Sequence, residues 1–341
     1  MKTTCPQNLI AAALAAGLAL TTSVAQAGEI GHFGGGLMNI RDYFVPEPGF
    51  YGATYNYFYK TDRLNNTNGN KVSSVTINPG RGPGVTVGVD VNVNLYVLAP
   101  TLIYVTDVKP LGIKYGAMII PTFANANLDA ALSSATGRGG NVGNGSFGVG
   151  DMFVQPVWLG KTLPHWDFAL AYGFYAPIGK YDTGTATLPN GVSVKAESLD
   201  NIGFGFWTQQ FQGAVAWYPW ADKRMAITTA LTYEMNGKKE DFDLTPGDNL
   251  TFNWGISQFL PLKKDTLLLE VGLAGYDTWQ ITDDTGSDAN NARDQVHAVG
   301  GQLGLVYLPW HTSLTFHGFY EYAAVDRFQG ESFGITLSKK F

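Results

Sequence analysis

The sequence predicts an all-β fold, an antiparallel transmembrane β-barrel of about twelve strands, on three observations. Long runs of residues alternate between apolar and polar, the connections between the runs alternate between short and long, and the last run ends the chain at Phe341. Strands that cross a bilayer alternate in this way, with short turns on one side of the membrane and longer loops on the other.

The composition agrees with this fold class. Charged residues make up 15% of the chain, against roughly 25% in an average soluble protein, while aromatic residues reach 13%. A β-protein whose outer wall meets lipid has this balance. Composition alone leaves an array of soluble β-sandwiches open. No segment after the N-terminus has roughly 18 consecutive apolar residues, which argues against a helical membrane protein.

The first 27 residues have the pattern of a signal peptide. Lys2 provides a positive start, an apolar run extends from Leu9 to Leu20, and Ala25-Gln26-Ala27 is an A-x-A cleavage site. The alternative is an N-terminal core helix. We expect cleavage near Ala27 and export to the outer membrane of a Gram-negative cell.

Charge and cysteine content exclude several function classes. The formal net charge is −6, and removal of Lys2 makes it one unit more negative, so nucleic acid is not an expected partner. Cys5 is the only cysteine and would leave with the signal peptide. The mature chain would then have no disulfide, no thiol nucleophile and no cysteine-based metal site.

Other motifs for chemistry are weak. The five histidines are scattered without metal-ligand spacing, and no G-x-S-x-G occurs. The letters G-x-G-x-x-G at 143–148 follow a polar stretch rather than a strand, so we interpret them as loop rather than as a dinucleotide site. We expect no catalytic residue, no metal and no cofactor.

The clearest strand runs from Val85 to Val97, where every odd position is apolar and most even positions are polar. At thirteen residues it exceeds the five or six of an average strand and suits a tilted membrane strand of about ten. Twelve such segments fit between the connections, at 50–63, 84–108, 112–125, 145–159, 166–181, 201–218, 224–236, 249–260, 265–281, 295–308, 312–325 and 331–341. An even count is what a closed barrel requires.

The connections divide into two classes. Short ones lie at 109–112, 161–165, 219–223, 261–264 and 308–311, and longer polar ones at 125–144, 182–200, 236–248 and 282–294. Five tryptophans flank the short connections, as expected of rings at the headgroup level, although buried corner residues are the alternative: Trp158, Trp166, Trp217, Trp220 and Trp310. Phe341 closes an alternating strand and resembles the signal that outer-membrane assembly machinery recognises, although Lys339 interrupts the alternation.

Taking the apolar parity of each strand as the lipid face predicts a set of polar residues that point into the lumen. They are Asn56, Asp90, Asn92, Asn94, Lys114, Asp151, Gln155, Asp167, Glu234, Asn253, Glu270, Gln302, His317 and Glu321. They form either a polar network that fills the lumen or a permeation path whose acidic bias favours cations and polar solutes. Four aromatic residues are also expected to point inward: Phe58, Phe153, Tyr175 and Phe319.

Residues 28–48 precede the first strand and combine Gly34-Gly35-Gly36 with Met38 and with Arg41-Asp42-Tyr43-Phe44. We consider two hypotheses for this segment. It folds into the barrel as a plug, or it is a disordered periplasmic tail. Residues 49–341 form the barrel in both cases.

Several blocks resemble a known family. They are Asn39–Tyr51, Gly150–Trp158, Gln209–Gly213, Trp217–Arg224 and Tyr320-Glu321-Tyr322. Together they resemble the "phenol degradation protein meta" family, also called the SphA-like transporter proteins, over roughly residues 38–341. The resemblance implies an outer-membrane protein linked to aromatic catabolism that admits hydrophobic or aromatic compounds. It carries over no catalytic or binding residues.

The leading functional hypothesis is therefore a passive outer-membrane channel for small hydrophobic or aromatic solutes. A closed barrel that acts through its extracellular loops is the main alternative. An outer-membrane enzyme and a soluble secreted β-protein are weaker alternatives. The expected partners are outer-membrane lipid, the assembly machinery and small apolar solutes.

Overall fold

The computed structural model describes residues 30–77, 85–134, 139–187, 193–198, 201–289 and 292–341. The predicted signal peptide lies outside these described residues. Among them, no helix is long and apolar enough to cross a membrane.

The described chain is built almost entirely of β-strands. In chain order they are β1 Gly49–Thr61, β2 Ser74–Ile77, β3 Val85–Val105, β4 Ile113–Ile120, β5 Phe123–Ser134, β6 Gly139–Val149, β7 Met152–Thr162, β8 Trp166–Ala176, β9 Thr183–Thr187, β10 Ser193–Glu197, β11 Thr208–Trp217, β12 Met225–Asn236, β13 Asn249–Lys263, β14 Leu267–Gln280, β15 Gln295–Tyr307, β16 Thr312–Val325 and β17 Glu331–Lys340. Two single-turn 3₁₀ helices, Pro110–Gly112 and Leu308–Trp310, form short connections.

Twelve of these strands close a ring. Starting from β1, hydrogen-bonded neighbours follow in the order β17, β16, β15, β14, β13, β12, β11, β8, β7, β4 and β3, and β3 pairs with β1 again. Every pairing in the ring is antiparallel. The predicted fold class is confirmed, and so is the strand count within the described residues.

The strands of the barrel wall differ in length, because β3 is much longer than its neighbour β4. β3 pairs with β4 only from Leu102 to Val105, whereas its earlier residues pair with β5, which in turn pairs with β6. The loop predicted at 125–144 is therefore wrong, because strands extend to Ser134 and restart at Gly139. The G-x-G-x-x-G letters lie inside β6, so their loop interpretation is wrong too. Glycine and asparagine discourage strands, yet backbone hydrogen bonds to a long neighbouring strand outweigh that local preference.

The two ends of the barrel differ. One end, here called the short-turn end, carries the tight connections together with the start of β1 and the end of β17. The opposite end, the long-loop end, carries the segments at 177–207, 237–248 and 281–294. The exception there is 326–330, a short connection between β16 and β17.

Exposed apolar side chains cover the outer face of the ring, for example Leu170, Leu273 and Leu303. Of the tryptophans expected at the short-turn end, those at Trp166, Trp217, Trp220 and Trp310 are exposed there. The prediction is wrong for Trp158, which is 3% exposed and packs inside. A β-bulge beside it shifts the register between β4 and β7.

Candidate functional site

The lumen contains residues 30–48, here called the lumen segment, which form no strand or helix. Irregular backbone inside a barrel needs hydrogen-bond partners for its N–H groups, because a buried unpaired amide is unfavourable. Three buried side chains accept them: Glu234 Oε1 from Phe33 N (2.9 Å), Asn253 Oδ1 from Gly36 N (3.2 Å) and Gln302 Oε1 from Ile40 N (2.9 Å).

Arg41 anchors the segment near the short-turn end. Its Nε donates to Glu270 Oε1 at 3.0 Å and to Ser257 Oγ at 2.8 Å, and its terminal nitrogens donate to backbone carbonyls of the turn between β11 and β12. The guanidinium also lies 4.2 Å from the centre of the Phe259 ring. One side chain therefore joins the lumen segment to two neighbouring wall strands, β13 and β14, and to the turn that leads into β12.

Asn39 and Asp42 form a second attachment. Asp42 Oδ2 accepts from Asn39 Nδ2 at 2.7 Å and from the Tyr55 hydroxyl at 2.8 Å. Burial raises the pKa of Asp42 above its ordinary value, against the lowering effect of these hydrogen bonds. Asn39 Oδ1 lies 3.1 Å from Nδ1 of His317 on β16. These contacts attach the middle of the segment to both β1 and β16.

The base of the segment is held by charge. Glu47 Oε1 lies 2.7 Å from Nζ of the buried Lys114, and Glu47 Oε2 lies 3.2 Å from Lys109 Nζ. Close by in the same end of the lumen, Asp167 accepts from the Tyr218 hydroxyl at 2.6 Å and pairs with Lys223 at 2.7 Å.

Glycines allow the close approach of segment and wall. Gly36 has φ of +71°, and a Cβ built at Gly35 would lie 2.4 Å from the Tyr276 ring. In the wall, a Cβ at Gly255 or Gly272 would lie 2.8 Å and 2.4 Å from atoms of the Ile40 side chain. Ile40 thus occupies space that exists only because both wall positions lack a side chain.

The other side of the lumen is apolar and partly empty. A cavity of about 850 Å³ lies between the lumen segment and the wall of β1, β3, β4 and β5. Inward residues of β3 to β5 form what we call the apolar wall: Val93, Leu95, Val97, Ala99, Met118, Ile120, Ala124 and Ala126. The polar wall, by contrast, is the inward set Glu234, Asn253, Glu270, Gln302 and His317 on β12 to β16.

Aromatic and amide side chains complete the cavity. Phe153 and Tyr175 lie at its edge with ring centres 4.6 Å apart. Gln155 on β7 and Gln210 on β11 are almost fully buried and line it, and Gln210 lies opposite Gly173 on β8. The cavity therefore has an apolar wall on one side and a few polar groups on the other, the usual character of a small-molecule site.

The predicted lumen residues divide into two groups. Ten are turned toward the interior of the barrel: Lys114, Asp151, Gln155, Asp167, Glu234, Asn253, Glu270, Gln302, His317 and Glu321. Asp151 lies between β6 and β7, where its carboxylate accepts backbone N–H groups of Gly179 and Phe204. Glu321 accepts from the hydroxyls of Tyr59 and Tyr276, each at 2.8 Å.

The prediction is wrong for the other four, Asn56, Asp90, Asn92 and Asn94. The cavity is lined by the odd positions of β1 and β3, so these even positions lie on the outer face. Asn56 Oδ1 accepts from the Tyr96 hydroxyl there, and Phe58, also predicted inward, is 42% exposed. Period-two alternation separates two faces of a strand but does not say which one meets the lumen. Here the apolar parity lines the cavity.

Sequence reasoning did not identify Arg41, Asn39 or His32 as wall-binding residues. The sequence contained only a short indication of this role, namely charged and polar side chains within a glycine-rich segment just before a strand. Nothing in spacing alone names their partners, which lie more than two hundred residues away for Arg41 and Asn39.

Comparison with known proteins identifies the family. A family model described as "Putative MetA-pathway of phenol degradation" matches residues 61–337. The chain belongs to this family. The resemblance found in the sequence blocks is thereby confirmed, and the match runs from the last residue of β1 into β17. No curated protein matches the sequence.

Several solved structures are similar to this chain. An outer-membrane channel from Pseudomonas putida F1 has 16% sequence identity and a TM-score of 0.57, covering 89% of this chain and 100% of its own. The β domain of the Bordetella autotransporter BrkA has 11% identity and a TM-score of 0.47, covering 85% and 99%. The P. putida toluene transporter TodX has 11% identity and a TM-score of 0.37, covering 88% and 91%. The first similarity shows an outer-membrane barrel fold.

Proposed function

We propose that the protein is a passive channel in the Gram-negative outer membrane for small hydrophobic or aromatic compounds. The observation that supports it best is the cavity of about 850 Å³ enclosed by a transmembrane ring and lined on one side by aliphatic residues. The inward carboxylates hold the lumen segment or bind neighbouring hydroxyl, ammonium and backbone amide groups.

The apolar wall suits a solute that water hydrates poorly. An aromatic ring that buries about 150 Å² of apolar surface gains about 4 kcal/mol at roughly 25 cal/mol per Å². Such a gain concentrates a ring in the lumen without holding it permanently. A fully polar lumen would not provide this gain, and the polar wall is occupied by the lumen segment.

The lumen segment is proposed to be a plug. Its attachments extend from Glu234 near the long-loop end to Lys114 near the short-turn end, so it lies along the solute path. A solute would enter from the long loops, pass along the apolar wall, and leave at the short-turn end when the segment shifts. The acidic bias of the remaining inward groups would favour cations over anions among charged solutes.

The family description supports the substrate class, since it names phenol degradation. The similar structure from Pseudomonas putida F1 is an outer-membrane channel, which is consistent with the proposal. The remaining parts of the proposal are cleavage near Ala27 and delivery to the assembly machinery. Phe341, 72% exposed at the end of β17, is the proposed assembly signal.

Uptake measurements in cells test the channel, because the outer leaflet of the outer membrane slows apolar solutes. A strain that lacks the protein should accumulate radiolabelled phenol or toluene more slowly, and expression of the protein should restore the rate. Solute-swelling and single-channel measurements on the purified barrel give the same answer without metabolism. No permeation of any aromatic tested, together with normal uptake in the deletion strain, would retire the proposal.

Deletion of residues 28–46 tests the plug separately. The shortened protein should show larger conductance and faster uptake, since the segment no longer fills the polar half of the lumen. Unchanged conductance and uptake would mean that the segment does not obstruct the path.

One observation favours a second candidate, a closed barrel that acts through its loops. The lumen segment contacts β1 and β12 to β16 by buried or partly buried hydrogen bonds, and such a dense set of contacts would suit a permanent filling. In that case neither the deletion of the segment nor that of the whole gene would change aromatic uptake, while loop deletions would change the phenotype.

A further inference from the structure

His32, near the start of the lumen segment, lies in a slot made of aromatic rings. Its imidazole stacks on Tyr175 with ring centres 4.6 Å apart and an interplanar angle of 21°. Phe204 lies at 4.6 Å and Phe206 at 4.9 Å, the latter edge-on. The imidazole side chain is 2% exposed. The slot therefore holds a flat ring by stacking and edge contacts, the geometry that aromatic pairs prefer.

Hydrogen-bond acceptors lie at both edges of this ring. His32 Nε2 lies 3.0 Å from Asp151 Oδ2, and Nδ1 lies 2.9 Å from Thr208 Oγ1. The Thr208 hydroxyl also lies 2.7 Å from Asn236 Oδ1. A ring in this slot thus meets a carboxylate, which can only accept, at its Asp151 edge and a hydroxyl at the opposite edge.

Asp151 is fixed in place without His32. Its Oδ1 accepts from Gly179 N at 2.9 Å and its Oδ2 accepts from Phe204 N at 2.8 Å. The residue is 5% exposed. Because a buried carboxylate needs donors, loss of the imidazole would leave Oδ2 without one of its two partners.

The slot opens onto the solute path. His32, Asp151, Tyr175 and Phe204 all line the cavity of about 850 Å³. A six-membered ring is larger than imidazole, and the adjoining cavity provides the extra room.

We propose that this slot is a binding site for a hydroxylated aromatic ring, and that the His32 side chain occupies the site when no such ring is bound. The incoming ring would stack on Tyr175 and Phe204, and its hydroxyl would donate to Asp151 in place of the imidazole. A hydrocarbon of the same size makes the stacking contacts but leaves the carboxylate short of a donor. The inference rests on the proposed function in one respect, since it requires that aromatic solutes reach the lumen.

Binding of phenol and of anisole to the purified full-length barrel tests this site, because the two differ by the hydroxyl donor. In His32→Ala the vacated slot should bind phenol about tenfold more tightly than the wild type does, and anisole should gain clearly less. Asp151→Asn added to His32→Ala should remove the preference for phenol. Added imidazole should compete with phenol for the vacated slot, as small rings enter engineered cavities of their own shape.

The control is His311→Asn, since His311 is exposed at a short turn with φ of +48°, which asparagine tolerates. It should bind both solutes as the wild type does. If His32→Ala binds phenol no more tightly than the wild type, or gains equally for anisole, the slot is not the site. If that variant does not fold, NMR of the wild-type protein tests the site instead. Saturation with phenol should displace the His32 ring from between the aromatic rings and so change the chemical shifts of its ring protons. Unchanged chemical shifts would overturn the proposal.

The outcomes separate the slot from the channel. Binding at the slot without any effect of the protein on cellular uptake would retain the site and overturn the channel. Uptake by the wild type with no phenol preference in His32→Ala would retain the channel and overturn the site.

Discussion

The two halves of the lumen wall face the same space but carry different chemistry. The polar wall of β12 to β16 offers acceptors such as Glu234, Asn253 and Gln302 to the lumen segment, whereas the apolar wall of β3 to β5 offers aliphatic side chains and borders a cavity. An irregular segment has many amides to satisfy, so it lies against the wall that can accept them. The opposite wall stays available for apolar molecules.

Replacing the two wall glycines that accommodate Ile40 should have the largest effect, because it removes the lumen segment from the polar wall. In Gly255→Val/Gly272→Val the new side chains occupy the position of Ile40, which lies within 2.8 Å of a Cβ at either site. We expect the lumen segment to be displaced, with conductance rising severalfold in single-channel recordings.

Gly213→Val is the matched control for that variant. Gly213 lies in the outward parity of β11, and the nearest atom to an added Cβ is Leu170 Cδ2 at 3.7 Å. The control should conduct as the wild type does. Equal conductance of the double variant and this control would show that Ile40 does not need the glycines for docking.

Breaking the buried ion pair of Arg41 and Glu270 should come next. Arg41→Met leaves the buried carboxylate of Glu270 without its charged partner. Removing one partner of a buried ion pair costs about 3 kcal/mol of stability. The partial exposure of Arg41, 19% of its side chain, lowers that figure. The mature chain is expected to lack cysteine, so the labelling rate of a cysteine introduced at Leu37 reports how often the segment leaves the wall.

The double variant Arg41→Met/Glu270→Leu sharpens this measurement. It removes both charges and leaves neither buried alone, so the labelling rate should fall back toward the wild-type rate. A double variant that is labelled faster than Arg41→Met would mean that the hydrogen bonds of Glu270 to other groups, such as Gln302 Nε2 at 3.0 Å, dominate.

A polar residue on the apolar wall should have a moderate effect on the uptake of aromatic solutes and little effect on the attachment of the lumen segment. Val97→Asn places an amide in the cavity lining, and an apolar solute would lose about 1–3 kcal/mol of favourable transfer where it contacts that amide. Aromatic uptake should fall severalfold, with an unchanged labelling rate at Leu37.

Asn94→Ala, on the outer face of the same strand, is its control. The uptake rate should not change, because Asn94 does not point into the lumen. A fall in uptake for Asn94→Ala equal to that for Val97→Asn would contradict the assigned facing of β3.

The smallest expected effect concerns pH and the base of the lumen segment. Hydrogen bonding to Lys114, and next to Lys109, holds the pKa of Glu47 below its ordinary value. A depressed pKa means that the ion pair contributes fully above the ordinary glutamate range and is lost as the pH falls through the lowered value. The labelling rate of a cysteine at Phe44, divided by that of free cysteine at the same pH to remove the titration of the thiol itself, should therefore rise slightly on acidification below about pH 4.5.

Glu47→Gln removes that titration and should give a labelling rate, relative to free cysteine, that does not vary over this range. The effect is small because the Glu47 side chain is 63% exposed and solvent screens the pair. A pH dependence that persists in Glu47→Gln would have to come from another group, of which Asp42 is the nearest in the segment.

The ring could be predicted from the sequence because each membrane strand repeats the same local pattern. The inward residues of β12 to β16 were predictable for the same reason, because the apolar positions of these strands face lipid and the polar positions face the lumen. On β3 that rule failed: Asp90, Asn92 and Asn94 face outward because the lumen side of that strand borders an apolar cavity.

The contacts of the lumen segment could not be predicted. Arg41 and Glu270 are 229 residues apart, and no local periodicity connects them. The tall hairpin of β5 and β6 escaped prediction because its glycines and asparagines favour loops, while the neighbour that stabilises it is β3. Both failures concern long-range partners rather than local preference.

The closure of the ring by β1 and β17 also has a consequence for assembly. Tyr51–Lys60 of β1 pair with Glu331–Lys340 of β17. The polar-wall partners of the lumen segment lie on β12 to β16, and the segment itself leads directly into β1. The pairing of β1 with β17 therefore joins the segment to the side of the barrel that binds it and closes the ring around both.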